Sequence, residues 1–141
     1  MNVFLDANIL IAVLNKEYPL FSYASRILSL HEKDGFNLFT SPLCLAISFY
    51  FAGKKSGEKI ANKKIKLLAS HINIAETGRD TIIKTIQNKK IHDFEDGLEY
   101  YSAIQAGCQL IVTENTEDFY FSEIKLMTCS QFFKEVAGIK K

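Results

Sequence analysis

Two acidic segments decide the fold prediction: Asp93-Phe-Glu-Asp-Gly-Leu-Glu99 and, further along the chain, Thr113-Glu-Asn-Thr-Glu-Asp-Phe119. On a helix with 3.6 residues per turn, Asp93 and Asp96 lie about 60° apart, and Glu99 lies about 60° further round. The complementary apolar positions are Phe94, Leu98, Tyr101 and either Ile104 or Gln105. This pattern predicts a helix that packs on a core through its apolar face and directs its carboxylates to a rim.

A short apolar run, Gln109-Leu-Ile-Val112, follows the acidic helix and has the length and composition of a strand. A polar turn then carries Asn115 and Asp118. In an open α/β sheet the carboxyl ends of the strands form the usual ligand edge, so this strand is expected to deliver Asp118 beside Asp96. Carboxylates brought together in this way repel one another unless a cation lies among them.

A third acid comes from the start of the chain, where the apolar run Asn2-Val-Phe-Leu5 ends at Asp6. Asp6 alone fits a helix N-cap, but its place at the end of a strand favours a site. Short strands alternate with helices, which predicts an α/β fold with a mostly parallel sheet covered on both faces. Asp6, Asp96 and Asp118 then share one edge and offer the oxygen ligands that Mg²⁺ or Mn²⁺ prefers.

One chemistry that uses such a site is phosphodiester hydrolysis, in which the cation polarises the phosphate and lowers the pKa of its bound water. The carboxylates would act first as ligands, and one of them could also orient the attacking water as a base.

Composition sets the bounds of the prediction. A chain of 141 residues is long enough for a single domain, 1–141, that buries roughly two-thirds of its unfolded surface. The 17 basic and 16 acidic residues give a net charge of +1, so any nucleic-acid binding must come from local patches. The three cysteines have no paired spacing and predict buried thiols in a reducing compartment. With no membrane span and no signal peptide expected, a cytoplasmic location is predicted.

Two further segments suggest contacts. The candidate RNA-binding lysines lie around the glycines at 53 and 57, and they are Lys54, Lys55, Lys59 and Lys63. They form either an ordinary solvated helix surface or a patch that tracks a nucleic-acid backbone. A helix predicted over 42–52 is apolar nearly all round, so it is buried on several sides, by this chain alone or also by a second copy in a homodimer.

The remaining elements follow from local signals. The patterns predict helices over 20–31, over the lysine-rich stretch to Ala69, from a Thr77/Asp80 capping box to Gln87, and over 128–136, with strands over 37–40, 71–75 and 123–127.

Three segments resemble the signature segments of PIN domains, a family named for the PilT N-terminus: Val3-Phe-Leu-Asp6-Ala-Asn8-Ile-Leu10, Asp93-Phe-Glu-Asp96-Gly-Leu98 and Ile111-Val-Thr113-Glu-Asn115-Thr-Glu-Asp118-Phe119. Most proteins of this kind are toxin ribonucleases of VapC-type toxin–antitoxin pairs. The resemblance covers essentially the whole chain in order and spacing. It implies a three-layer α/β/α sandwich with a parallel sheet, and a metal-dependent endoribonuclease that is the toxin of a type II pair.

The resemblance also implies roles for single residues. Asp6, Asp96 and Asp118 would take the catalytic, metal-binding positions, and Asn115 or Thr113 would hold the last turn or a metal-bound water. The plausible auxiliary acids are Asp93 and Glu99. The expected partners are RNA, a second copy of the chain, and often an antitoxin that occupies the acidic groove with a basic side chain.

One position departs from the family pattern. Members usually carry a glutamate about six residues beyond the serine that matches Ser41, and here the neighbourhood reads Leu45-Ala-Ile-Ser48. Three interpretations are open. A neighbouring acid, Glu95, Glu99 or Asp93, could complete the cluster, or the site could bind a single metal more weakly. In the third, the protein is a degenerate PIN-like module that binds a protein or RNA. A structure-selective DNA nuclease of similar fold is a further alternative.

Overall fold

The computed structural model describes residues 1–136. Its strands are β1 Asn2–Leu5, β2 Asn37–Thr40, β3 Asn73–Ile74, β4 Leu110–Val112 and β5 Lys125–Met127. Its helices are α1 Ala7–Leu14, α2 Leu20–Leu28, α3 Pro42–Ser56, α4 Glu58–His71, α5 Arg79–Gln87, α6 Phe94–Gln105 and α7 Cys129–Glu135, with a 3₁₀ helix at Thr116–Phe119. The predicted domain extends to residue 141, and residues 137–141 lie outside the described part.

The five strands form one sheet in the order β3-β2-β1-β4-β5, and every neighbouring pair is parallel. The prediction of an α/β/α sandwich with a parallel sheet is therefore confirmed. The strand order reverses between β1 and β4, where Leu5 pairs with Val112. Adjacent parallel strands that lead away in opposite directions leave a crevice at their carboxyl ends, so this pair positions the candidate site.

The core lies on the two central strands. Val3, Phe4 and Leu5 of β1 and Ile111 and Val112 of β4 have no exposed surface. A strand that is buried on both faces needs consecutive apolar residues, not alternating ones. This requirement explains why the short apolar runs of the sequence locate these strands well.

Local capping signals place several helix starts. Ser41 accepts a hydrogen bond from the Cys44 amide, and Pro42 occupies the first position of α3, where its missing N–H costs nothing. Thr128 and Gln131 form a reciprocal capping box at the start of α7.

Two predicted helix ends are wrong. Helix α2 ends at Leu28 and not at residue 31, and the chain then turns through Glu32, whose φ is 63°. Helix α3 continues four residues past Ala52, because a single helical glycine costs only about 1 kcal/mol. It ends where Gly57 takes a φ of 87°, a conformation that favours glycine.

The predicted capping box at Thr77 is also wrong, because the Thr77 hydroxyl pairs with that of Ser102. The amide of Gly78 donates instead to Thr81 Oγ1 at the start of α5. The third strand spans two residues, shorter than the predicted run. None of the helices in residues 1–136 has the length and apolar character that crossing a bilayer requires.

Candidate metal centre

Asp6 lies directly after β1, at the point where β1 and β4 meet. Its amide donates to the Val112 carbonyl at 3.1 Å, and its side chain is only 8% exposed. Oδ1 accepts from the Ala7 amide at 2.6 Å, and Oδ2 accepts from the Thr113 hydroxyl at 2.7 Å. Asp6 therefore caps α1 and also faces the crevice, so the two interpretations of this residue are compatible.

Thr113 and Asn8 fix the orientation of the Asp6 carboxylate. Asn8 Nδ2 donates to Asp6 Oδ2 at 3.3 Å and lies 3.2 Å from Thr113 Oγ1. The Asn115 amide donates to the same Thr113 oxygen at 3.1 Å, which holds the turn after β4. Asn8 belongs to the first of the three signature segments but is not among the predicted site residues. Its spacing two residues beyond Asp6 is the signal that could have placed it beside the carboxylate.

Among the predicted site acids, Glu99 differs most from its predicted location. It is 4% exposed and not at a rim. One of its carboxylate oxygens lies within 4.8 Å of both an Asp6 carboxylate oxygen and the Cys44 sulfur. Burial, and then the neighbouring Asp6, raise the pKa of Glu99 well above its ordinary value. Its Oε1 atom is buried and has no hydrogen-bond partner.

The rotation of α6 about its own axis explains why Glu99 is buried. The sequence pattern puts Phe94, Leu98 and Tyr101 on the inner face, but Phe94 is 51% exposed. Helix α6 packs against α5 instead through Gly97, where a Cβ atom would overlap the Thr85 methyl group. This close approach turns the buried face by about one residue and carries Glu99 inward.

Cys44 is fully buried, as the sequence predicts for this thiol. Its location beside two acids was not predicted, because nothing in the local sequence joins α3 to α6. Burial, and then the charges of Glu99 and Asp6, raise the pKa of the Cys44 thiol well above its ordinary value. The Ser48 hydroxyl donates to the Cys44 carbonyl at 2.6 Å and anchors this turn of α3.

Asp96 and Asp118 lie near enough to Asp6 for the charges to interact, but their carboxylates are not among the donor atoms that lie within 4.8 Å of one another. Asp96 is half-buried in the first turn of α6, and Asp118 is exposed on the 3₁₀ helix. Burial raises the pKa of Asp96 to about 7, with further contributions from the carboxylates of Asp93, Asp118, Asp6 and Glu95. Partial desolvation, and then the carboxylates of Glu117, Asp6 and Asp93, raise the pKa of Asp118.

Asp93 itself caps α6 by accepting the Asp96 amide at 3.2 Å. Within residues 1–136 the only ion pair joins His31 and Glu32. No lysine or arginine of this part of the chain neutralises the carboxylates, which is the situation that a bound cation relieves. The donor set and the unpartnered Glu99 oxygen therefore fit a divalent metal ion.

The predicted RNA-binding lysines lie elsewhere. Lys55 is eleven residues along α3 from Cys44, about 16 Å at the helical rise. Its ammonium group donates to the Asn15 carbonyl, and that of Lys54 lies over the Tyr50 ring. Lys59 and Lys63 are exposed on α4. The structure thus groups these lysines on the surface but does not bring them to the acids.

Comparison with known proteins identifies the fold family. The family model described as PIN domain matches residues 2–117. The chain belongs to the PIN-domain family. The resemblance inferred from the three sequence segments is therefore confirmed.

Two kinds of relative agree with this membership. The chain is 28% identical over 134 residues to Ribonuclease VapC1 of Aquifex aeolicus (strain VF5), covering 92% of each. Its fold is similar to VapBC2 from Rickettsia felis bound to a promoter DNA fragment, with a TM-score of 0.68, 18% identity, and 91% and 98% of the two chains covered. It is also similar to Mycobacterium tuberculosis VapC20, described as a sarcin–ricin loop cleaving toxin, with a TM-score of 0.62, 15% identity, and 77% and 86% covered.

Proposed function

We propose that this PIN domain is a divalent-metal-dependent endoribonuclease that hydrolyses RNA phosphodiester bonds and is the toxin of a type II toxin–antitoxin pair. One observation carries the proposal: Asp6 lies where β1 and β4 end, the charges of Asp6 and Asp118 help to raise the pKa of Asp96, and no lysine or arginine within residues 1–136 forms an ion pair with any of the three. The names of the similar VapC proteins support ribonuclease chemistry over other uses of such a site.

In this proposal Asp6, Asp96 and Asp118 would hold Mg²⁺ or Mn²⁺. When bound, the ion supplies a Lewis acid for the phosphate and lowers the pKa of a coordinated water. Thr113 and Asn8 keep the Asp6 carboxylate in its binding orientation through the bonds to Oδ2. Asp118 is exposed on the solvent side, so it is the carboxylate best placed to accept a proton from the attacking water.

The decisive experiment compares Asp96→Asn with the wild type for cleavage of single-stranded RNA in Mn²⁺. Asn keeps the shape of the side chain and removes its charge, so we expect loss of cleavage and of toxicity on expression. Asp80→Asn is the matched control, because Asp80 is exposed in the first turn of α5. Cleavage that survives Asp96→Asn would refute the assignment. Faster cleavage of single-stranded DNA than of RNA would favour the DNA nuclease alternative.

A second candidate function rests on α3, where Ile47 stands at the position at which the family usually has a glutamate. A site with one carboxylate fewer binds a cation less tightly. In this candidate function the protein has weak or no catalytic activity and binds a protein or RNA partner. Binding of RNA that is unchanged in EDTA, together with no cleavage in Mn²⁺, would favour this candidate.

We further propose that the exposed lysines of α4 track the phosphate backbone of RNA. Lys59 and Lys63 are exposed, whereas Lys55 donates to a backbone carbonyl. The double variant Lys59→Gln/Lys63→Gln should weaken binding of single-stranded RNA. The slope of log K against log salt should fall by about 0.7 for each phosphate that is no longer neutralised. An unchanged slope would show that these lysines are an ordinary solvated surface.

An antitoxin partner is supported by the similar VapBC structure and by an apolar groove of about 560 Å³ between α1, α2 and α4. Leu67 lines this groove and is 72% exposed. Leu67→Glu should abolish co-purification with the product of a neighbouring antitoxin gene. Ile86→Glu should not, because Ile86 is equally apolar and 68% exposed but lies on α5. Equal loss in both variants would contradict this surface.

We also propose a homodimer that uses the exposed aromatic pair of α3, Tyr50 and Phe51. Light scattering of Tyr50→Ser/Phe51→Ser should give a monomer mass where the wild type gives a dimer. The three buried free thiols support a cytoplasmic location.

A further inference from the structure

We propose that Asp6, Cys44 and Glu99 together form a three-ligand site for a thiophilic divalent cation of the Zn²⁺ and Co²⁺ class. In this arrangement Glu99 of α6 supplies the carboxylate that α3 lacks. The inference rests on the proposed metal-dependent function and deepens it, because it adds two ligands, Cys44 and Glu99, to the acids Asp6, Asp96 and Asp118, and a softer class of ion than Mg²⁺ or Mn²⁺.

The geometry of the cluster is the first support. One carboxylate oxygen each from Asp6 and Glu99, and the sulfur of Cys44, all lie within 4.8 Å of one another. All three side chains are buried, and they come from three separate elements: the end of β1, the first turns of α3, and the middle of α6. Donor atoms that converge in this way surround a common point that an ion can occupy.

The unpartnered Glu99 oxygen is the second support. Oε1 is buried without a hydrogen bond, and a buried polar atom left unpaired costs roughly 1–3 kcal/mol, more when it is charged. The Asp6 oxygens already accept from Ala7, Thr113 and Asn8 and offer Glu99 no donor when ionised. The Cys44 thiol is only a weak donor. A cation would supply the partner that this Glu99 oxygen lacks.

The sulfur decides the class of ion. Mg²⁺ takes oxygen ligands and retains several waters, whereas a thiolate selects softer transition ions. Two carboxylates and one thiolate leave a fourth position open for water, as in catalytic zinc sites with three protein ligands. The more exposed acids, Asp96 and Asp118, remain the oxygen ligands proposed for Mg²⁺ or Mn²⁺ beside this site.

Co²⁺ titration of the metal-free full-length protein tests the proposal, because a cobalt–thiolate bond gives a near-ultraviolet charge-transfer band that oxygen ligands do not give. We expect the wild type to develop this band with one Co²⁺ per chain. Cys44→Ser should lose it, and Cys108→Ser should keep it, since Cys108 is also buried but lies away from these acids. Glu99→Gln should keep the band but bind Co²⁺ at least about tenfold more weakly, the lower range for groups that merely support a ligand.

These outcomes test the metal site and the proposed function separately. No band in the wild type, or a band that survives Cys44→Ser, would overturn the site, and unchanged Co²⁺ affinity in Glu99→Gln would remove Glu99 from it. X-ray absorption of the cobalt-loaded wild type reads the metal–sulfur bond directly and needs no variant to fold. RNA cleavage that depends on Asp96 without any band would sink this inference and leave the proposed function intact. A cobalt–thiolate band without RNA cleavage would support this metal site and count against the proposed function.

Discussion

Asp96→Asn should make the metal-free protein more stable at neutral and alkaline pH. In the folded protein the pKa of Asp96 is raised from 3.8 to about 7. An acid whose pKa is raised on folding contributes stability that is fully present below the unfolded pKa. That contribution is lost as the pH rises through the folded pKa. Asn carries no such charge, so the stability gained by the variant should grow between about pH 4 and pH 7 and then level off.

The magnitude follows from the shift. A pKa shift of about three units corresponds to roughly 4 kcal/mol in the free energy of unfolding if the whole shift contributes. Asp96 is only half-buried, so solvent screening reduces this figure to about 1–2 kcal/mol. For a chain of this size, that gain raises Tm by about 2–8 °C.

The assay is thermal unfolding of both proteins in EDTA at intervals from pH 4 to pH 8, followed by the same series with Mn²⁺. Asp34→Asn is the matched control, because Asp34 lies in an exposed turn with a φ of 52°, which Asn also tolerates. Mn²⁺ should raise Tm in the wild type and much less in Asp96→Asn, because only the former retains the full ligand set. A constant difference between the two proteins across this pH range would refute the account of carboxylate repulsion.

Three further predictions concern packing and ligand geometry. Thr113→Val removes the hydroxyl that donates to Asp6 Oδ2 and should lower the free energy of unfolding in urea by about 1–3 kcal/mol; unchanged stability would contradict the importance of this bond. Gly97→Ala should cost about 1–3 kcal/mol, because its methyl overlaps the Thr85 methyl. Thr85→Ser should relieve that cost, and an equal loss in the double variant would disprove the clash. Ile47→Glu adds an acid about one turn beyond the Cys44 position and should increase Mg²⁺ affinity measured by calorimetry; unchanged affinity would show that this side of α3 faces away from the ion.

The order of strands and helices was readable from local patterns. Consecutive apolar residues in 3–5 and 110–112 mark strands that are buried on both faces, and caps such as Ser41 and Thr128 mark where helices begin. These signals work because each depends on residues a few positions apart. The position of Asp6 at the end of a strand was therefore predictable, and with it the edge of the sheet at which acids collect.

Rotation of α6 was a property of the tertiary structure alone. Its sequence supports an inner face through Phe94 and Leu98 about as well as the observed one, and the packing of Gly97 on α5 selects between them. That choice buries Glu99 and exposes Phe94. Cys44 joins the same acids only because α3 and α6 meet near the end of β1, although they are far apart in the sequence. Periodicity along one helix could identify the acids. Only packing between helices decides which of these acids lie in the same candidate metal site, and which of their oxygen atoms has no hydrogen-bond partner.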